Sequence, residues 1–209
     1  RFARREYDIM VGTQMVAKGL DFEDVTLVGV LGIDSLLFAQ GFRAYETVFS
    51  LITQVVGRSG RAKDPGFAII QTTDPDNPVL NLAAAQDYDA FFEQEIAYRK
   101  LGLYPPFCGL CVVGFSGLKE GEVARAAARF AALLGRQAAK QPELPLRVLG
   151  PTPGNIEKIN GNYRYKLTVK CRNDRRFRDL MRETLGLYEQ EKLPAKATVV
   201  VDLHSDGDI

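Results

Sequence analysis

The sequence predicts an α/β protein: a parallel-sheet domain with both faces covered, followed by a smaller α+β domain. Three observations carry this. Short apolar runs alternate with an amphipathic stretch in the first half, as strands joined by crossover helices do. A proline pair, Pro105-Pro106, then stops a long helical stretch, because a residue before proline is driven out of the helical region. Beyond it the pattern reads strand, helix, strand, strand, helix, strand, the order of a split βαβ sandwich.

Tyr7–Val11 is a short apolar run entering a polar loop, and it predicts a buried strand. Val25–Ile33 (VTLVGVLGI) is a second β-rich run, too short and too apolar for a surface helix. Apolar side chains at 45, 48, 49, 51, 52, 55 and 56 place an amphipathic helix over 43–56, ending at Gly57. Gly66–Gln71 is a third strand, closed by the turn cluster Asp74-Pro75-Asp76-Asn77-Pro78. Residues 79–101 read as helical. After the proline pair, strands are expected at 108–115, 146–149, 162–171 and 196–203, with helices at 119–140 and 174–190. Gly150-Pro151-Thr152-Pro153 reads as a turn. The domains are therefore expected at 1–104 and 105–209.

The 209 residues are 46% hydrophobic, enough to bury ordinary cores. A net charge of +1 conceals an asymmetry: residues 1–104 hold 10 Lys+Arg against 14 Asp+Glu, and residues 105–209 hold 17 against 12. Within 147–182 the ratio is 10 to 3, which points to an anionic partner for the second domain. No run approaches the roughly 20 apolar residues of a membrane helix. No signal peptide opens the chain, and three cysteines fit a reducing cytoplasm. The start, Arg1-Phe2-Ala3-Arg4-Arg5, lacks a methionine and reads as an excised piece.

Two glycine-punctuated polar loops are the strongest candidates for chemistry: Gly12–Phe22 (GTQMVAKGLDF) and Gln54–Ala62 (QVVGRSGRA). Gln54, Arg58 and Arg61 lie at i, i+4 and i+7, so on a helix they share one face. A guanidinium is a planar fork matched to phosphate oxygens and stays charged at any working pH. Gly57 and Gly60 beside the arginines cost helix stability, about 1 kcal/mol each relative to alanine, but permit close approach of a ligand or backbone. The bland alternative is a helix end whose cations offset the macrodipole. In the first loop, Thr13 and Gln14 offer a hydroxyl, an amide and backbone N–H groups suited to a phosphodiester. Gly19 permits an unusual turn, and Asp21 is suited to bonding a ribose or fixing an arginine.

In the second domain, Tyr163 and Tyr165 alternate with Arg164 and Lys166 along one strand, so aromatics show on one face and cations on the other. This reads either as a single-strand platform or as core tyrosines with a solvated basic face. Arg172, Arg175, Arg176 and Arg178 crowd the start of the last helix, where cations oppose the dipole. DNA, an acidic peptide tail or a neutralising neighbour would each account for them. Cys108-Gly109-Leu110-Cys111 has metal-ligand spacing, but no second pair follows and His204, the one histidine, is distant. No metal site is expected; the cysteines read as small core residues.

With these residues in place, the chain resembles the primosomal protein N′ family, the bacterial replication-restart helicases of superfamily 2. Both loops are shared, more loosely, with other superfamily 2 helicases. The discriminating segments are Phe42-Arg43-Ala44-Tyr45-Glu46, Gln71-Thr72, Asp87–Phe107 (DYDAFFEQEIAYRKLGLYPPF), the Gly150–Pro153 turn and Tyr163-Arg164-Tyr165-Lys166. The resemblance covers nearly the whole chain. It implies that residues 1–104 are most of a second RecA-like motor lobe, with motifs V and VI, and that 105–209 form a C-terminal domain that binds DNA and partners. It implies that Arg58 and Arg61, assisted by Gln54, face ATP held mainly by an absent first lobe together with Mg²⁺. Thr13 and Gln14 would touch the translocating strand, and Gly19 and Asp21 would couple the two sites. The family's zinc-binding insertion would precede this stretch.

The implied activity is ATP-dependent 3′→5′ DNA unwinding that remodels stalled forks and initiates primosome assembly in the bacterial cytoplasm, at the nucleoid. Implied partners are single-stranded and forked DNA, single-strand-binding protein and primosome loading proteins. No G-x-x-x-x-G-K-S/T loop is present, so this chain alone is expected to be inactive on ATP. A non-catalytic docking module and a related branch-migrating helicase are the alternatives. Three departures from the family pattern stand out: Gly41 for the usual Asp, Thr47 where Arg is common, and Asp202-Leu203-His204-Ser205 for Asp-Val-Asp-Pro.

Overall fold

A computed structural model describes residues 2–13, 25–39, 41–56, 67–191 and 197–205. The chain separates into two units, Arg1–Ala39 with Arg43–Ala97, and Gln40–Phe42 with Tyr98–Ile209. Among the described residues the first carries a two-stranded parallel sheet and the second a four-stranded antiparallel one.

In the first unit, β1 (Leu27–Val30) runs parallel to β2 (Phe67–Ile70), with Leu27 opposite Phe67 and Val30 opposite Ile70. The helices are α1 (Asp34–Leu37), α2 (Ala44–Val56), α3 (Pro78–Ala84) and α4 (Tyr88–Gly102). The apolar period of α2 does what the sequence predicts: Val48, Phe49, Ile52 and Val55 are buried. They meet Ile33, Leu37, Val79, Leu80 and Phe91 in one core, where the Phe49 and Phe91 rings stack 4.1 Å apart.

In the first unit the structure departs from two expectations. Tyr7–Val11 is not a strand; Phe2–Arg4 forms a short 3-10 turn, and Ile9 and Val11 stand 81% and 92% exposed. A strand needs a neighbouring ladder, and in this unit the ladder among the described residues joins β1 to β2 alone. The helical stretch 79–101 is two helices, because Gln86 takes φ +57° and Asp87 accepts from Ala90 N at 3.0 Å as a new N-cap. Asn77 caps α3 the same way, accepting from Val79 N at 3.1 Å ahead of Pro78.

The second unit runs β3 (Gly109–Gly117), α5 (Glu120–Ala138), β4 (Leu146–Ile159), β5 (Asn162–Cys171), α6 (Arg175–Gln190) and β6 (Thr198–Asp202). The sheet order is β4-β5-β3-β6, so β5 lies between the two strands that flank α5. That is the split βαβ arrangement the sequence predicts. Cys111, Val113, Phe115, Leu167 and Val169 share a core with Val123, Phe130 and Leu134 of α5 and Phe177 and Leu180 of α6. Both helices therefore cover one face of the sheet.

The Gly150–Pro153 segment is not a turn. β4 continues through it to Ile159, with register shifts between Leu149 and Thr152 and between Pro153 and Lys158. Proline is tolerated because β4 is an edge strand and needs no second ladder. Gly150 sits at φ +100°, where a Cβ would come 2.9 Å from the Lys166 carbonyl oxygen; only glycine fits.

Candidate functional site

Helix α2 presents Gln54 on its exposed side, opposite the buried Val48–Val55 stripe. Thr13 is exposed. Gln14, Gly19, Asp21, Arg58 and Arg61 lie outside the described residues, so of the candidate residues in the two loops Gln54 and Thr13 alone have a described place. Arg43 and Glu46 are 3.9 Å apart at the start of α2, both about half exposed.

At the carboxyl ends of β1 and β2, where ligands of open α/β sheets gather, the sequence reading overlooked Asp34. Its Oδ1 accepts from the Thr72 hydroxyl at 2.5 Å, and its Oδ2 accepts from the Thr73 N–H at 2.9 Å and hydroxyl at 2.7 Å. Those hydrogen bonds, Thr72 first, hold the carboxyl below its ordinary range. Asp74 N in turn donates to the Thr72 hydroxyl at 3.1 Å. The network ties the end of β2 to the start of α1. Nothing periodic marks Asp34; the Thr72-Thr73 pair after an apolar run is the only sequence signal.

In the second unit, alternation along β5 separates the four residues of the Tyr163–Lys166 motif. Tyr163 and Tyr165 border the helix-side core. The Tyr165 hydroxyl donates to Glu120 Oε1 at 3.2 Å, and Lys158 Nζ lies 4.5 Å from the Tyr163 ring centroid. Burial, then Glu120, pushes the Tyr165 phenol up. Arg164 and Lys166 point to the opposite face, where Lys166 Nζ donates to Asn155 Oδ1 at 2.6 Å.

Arg172, Arg175, Arg176 and Arg178 cluster at the start of α6, all exposed. The structure supplies neighbours: Arg175 lies 3.7 Å from Asp179, and Arg176 lies 3.8 Å from Asp174. Arg178 donates to the Asn173 carbonyl at 3.3 Å. Asp174 is also the N-cap, accepting from Phe177 N at 3.1 Å. That bond does most to lower its pKa; burial opposes it, and Arg176 and Arg172 add to the lowering. A carboxylate at the cap thus offsets cations that the helix dipole opposes.

Cys111 and Cys171 are core residues, and burial pushes both thiols up to about 12. Cys108 Sγ donates to the Leu103 carbonyl at 2.9 Å. Among the described residues no group of three or more His, Cys, Asp or Glu is placed to hold a metal ion. The Asn173 amide lies 3.2 Å from His204 Nε2. No helix among the described residues is long and apolar enough to cross a membrane.

The family of the primosomal protein N C-terminal domain matches residues 100–205. The replication restart protein PriA of Bacillus subtilis is 36% identical over 97% of this chain and 25% of its own length. Those of Synechocystis and Chlamydia pneumoniae are 41% and 42% identical over 81% of this chain and 20% and 22% of theirs. The chain thus spans a quarter or less of these relatives' length. Their identity runs through both units, while the domain match begins at the end of α4. The chain belongs to the primosomal protein N C-terminal domain family, in company with the PriA replication restart proteins.

Proposed function

We infer that this chain serves as the C-terminal portion of an ATP-dependent 3′→5′ DNA helicase acting in replication restart. The observation that carries this is the family match together with the alignment of relatives named for replication restart over nearly the whole chain. In this reading the parallel β1–β2 pair and its helices belong to the second of two RecA-like lobes. Gln54, Arg58 and Arg61 would meet the phosphates of ATP and its Mg²⁺, held mainly by the other lobe. Arginines in that role stabilise transferred charge by about 10³–10⁵ in rate. Gly19 and Asp21 would couple nucleotide to DNA, with Thr13 and Gln14 on the strand.

The second unit would take single-stranded or forked DNA, single-strand-binding protein and primosome loading proteins, in the bacterial cytoplasm. Its exposed arginines and lysines, on a separately packed sandwich, support a binding role for it.

The test places Arg61→Ala in the longer protein. DNA-dependent ATP hydrolysis is expected to fall by about 10³-fold or more, with DNA affinity retained. Unchanged hydrolysis would remove the arginine-finger role and favour a docking module. This chain alone is expected to show no ATPase, and measurable turnover by it overturns the two-lobe account.

A further inference from the structure

The helix-free face of the second unit's sheet is half roofed and half open. Residues alternating with the core set point to this face, and the register arranges them in rows. Arg147, Lys170 and Leu110 form one row, and Leu149, Thr168, Val112 and Asp202 the next. The following row holds Thr152, Lys166, Gly114 and Val200, and the last Arg164, Ser116 and Thr198. The middle of the first two rows is covered: Val112 is fully buried, and Lys170 lies under Gly102 and Tyr104, while Arg147 and Leu149 on the edge strand stay exposed. The last two are open, with Val200 55% exposed and Arg164 and Lys166 half-buried.

The chemistry of the open rows is specific. Among the described residues they hold two cations, three hydroxyls and no carboxylate. Asp202 lies one row away and accepts from His204 N at 3.0 Å, and Glu157 of the β4 bulge lies near Tyr165. Asn155 accepts from Lys166 and fixes the ammonium at the β4 bulge. Gly154 brings that strand close, since a Cβ there would sit 3.2 Å from Arg164 Cβ. Two residues apart on one strand, Arg164 and Lys166 are spaced about 7 Å, on the scale of successive phosphates in an extended nucleic-acid strand.

No aromatic residue stands in these rows; Tyr163 and Tyr165 lie on the helix side. Stacking platforms for single strands need aromatics facing the ligand. What remains, cations and hydroxyls on a flat surface, is a set of backbone contacts without base readout. An acidic peptide would want apolar anchor pockets as well, and Val200 alone does not make one.

We propose that these open rows are a cradle for the phosphodiester backbone of single-stranded DNA, held by Arg164 and Lys166 without base stacking. This rests on the nucleic-acid reading above and adds the face and the mode of contact. It also moves the tyrosines of the motif from ligand stacking to support of the sheet.

The test uses the whole chain, a fluorescent thymidine strand and an abasic strand of equal length, titrated over a salt series. The abasic strand is expected to bind within about 3-fold of the thymidine strand, since stacking contributes little. Arg164→Gln and Lys166→Gln are each expected to reduce the salt slope by about 0.7, one phosphate contact. Arg175→Gln, on α6, should change the slope less. Circular dichroism confirms that the variants fold.

A loss of more than about 10-fold on the abasic strand would show base stacking and overturn the mode of contact. Full binding by Arg164→Gln and Lys166→Gln would move the DNA elsewhere, overturning this inference while the helicase reading stands. Displacement of bound DNA by an acidic peptide at matched charge and equal affinity would assign the face to a peptide instead. Absence of any DNA binding overturns the nucleic-acid role of this unit itself.

Discussion

Lys170 Nζ lies 3.8 Å from the centroid of the Tyr104 ring and donates to the Gly102 carbonyl. The ammonium thus meets both the negative face of an aromatic ring and the carbonyl end of α4, two sites that favour a cation. Tyr104 also stacks on Phe42 at 5.5 Å and on Tyr98 at 5.9 Å, and the Arg99 guanidinium stands 5.0 Å over Phe42. Burial, with Arg147 adding to it, pulls the Lys170 pKa down; the ring and carbonyl are what make a buried lysine tolerable.

This relationship predicts coupling. In a double-mutant cycle, Lys170→Met and Tyr104→Leu should be non-additive by about 0.5–2 kcal/mol in urea unfolding. Additivity would show that the ring and ammonium are neighbours without interaction. Gly102→Ala should disturb the same contact, because its Cβ would lie 2.6 Å from two Tyr104 ring carbons. It is expected to cost about 1–3 kcal/mol.

Asn77 is a buried cap with two duties: Oδ1 accepts from Val79 N, and Nδ2 donates to Asp74 Oδ2 at 3.0 Å. Asn77→Ala should destabilise the first unit by about 1–2 kcal/mol. Hydrogen exchange should show the loss in the amides of α3, with the second unit unchanged. Uniform loss across both units would contradict a local cap.

Glu191, at the end of α6, accepts from Arg129 Nε at 2.6 Å and from a second Arg129 nitrogen, with Arg136 at 3.8 Å. The Arg129 hydrogen bonds hold its carboxyl below the ordinary value of 4.5. A depressed carboxyl stabilises the fold above its unfolded pKa, and that stability is lost as pH falls through the folded value. Glu191→Gln should therefore lower the melting temperature at pH 7 but make little difference at pH 2. An equal deficit at both would show a packing defect rather than an ionic one.

At the other end of the scale, the Cys111 and Cys171 thiols are raised from 9.0 to about 12. The unfolded chain releases those protons first, so stability should fall as pH rises from about 9 to 12. Tyr165 and Tyr188, both raised, act in the same direction; Lys170, lowered, acts against it. Replacing Cys111 with Val should flatten the alkaline fall in thermal melts from pH 8 to 11. An unchanged slope would assign the fall to Cys171 and the tyrosines.

Much of the secondary structure was legible because its signals are local. The period of α2, the Ala-rich α5 and the alternation of β5 follow from where apolar side chains must go, and the strand-helix order of the second unit follows from them. The misread elements are those whose outcome depends on something distant. Tyr7–Val11 is apolar like a strand, but strand formation requires a ladder. Pro151 and Pro153 read as a turn until the sheet order makes β4 an edge. The break at Gln86-Asp87 has no glycine or proline to announce it, and only the cap on Ala90 marks it.

The family resemblance, the residues of the two loops and the β-α-β-β-α-β order are legible in the chain alone, since motif spacing and periodicity are one-dimensional. Tertiary structure alone decided what faces what. It set the tyrosines of β5 against the helices and the cations against the open face, and joined Asp34 to Thr72 and Lys170 to Tyr104. Those pairings span dozens of residues and depend on strand register and helix packing, which no local pattern encodes.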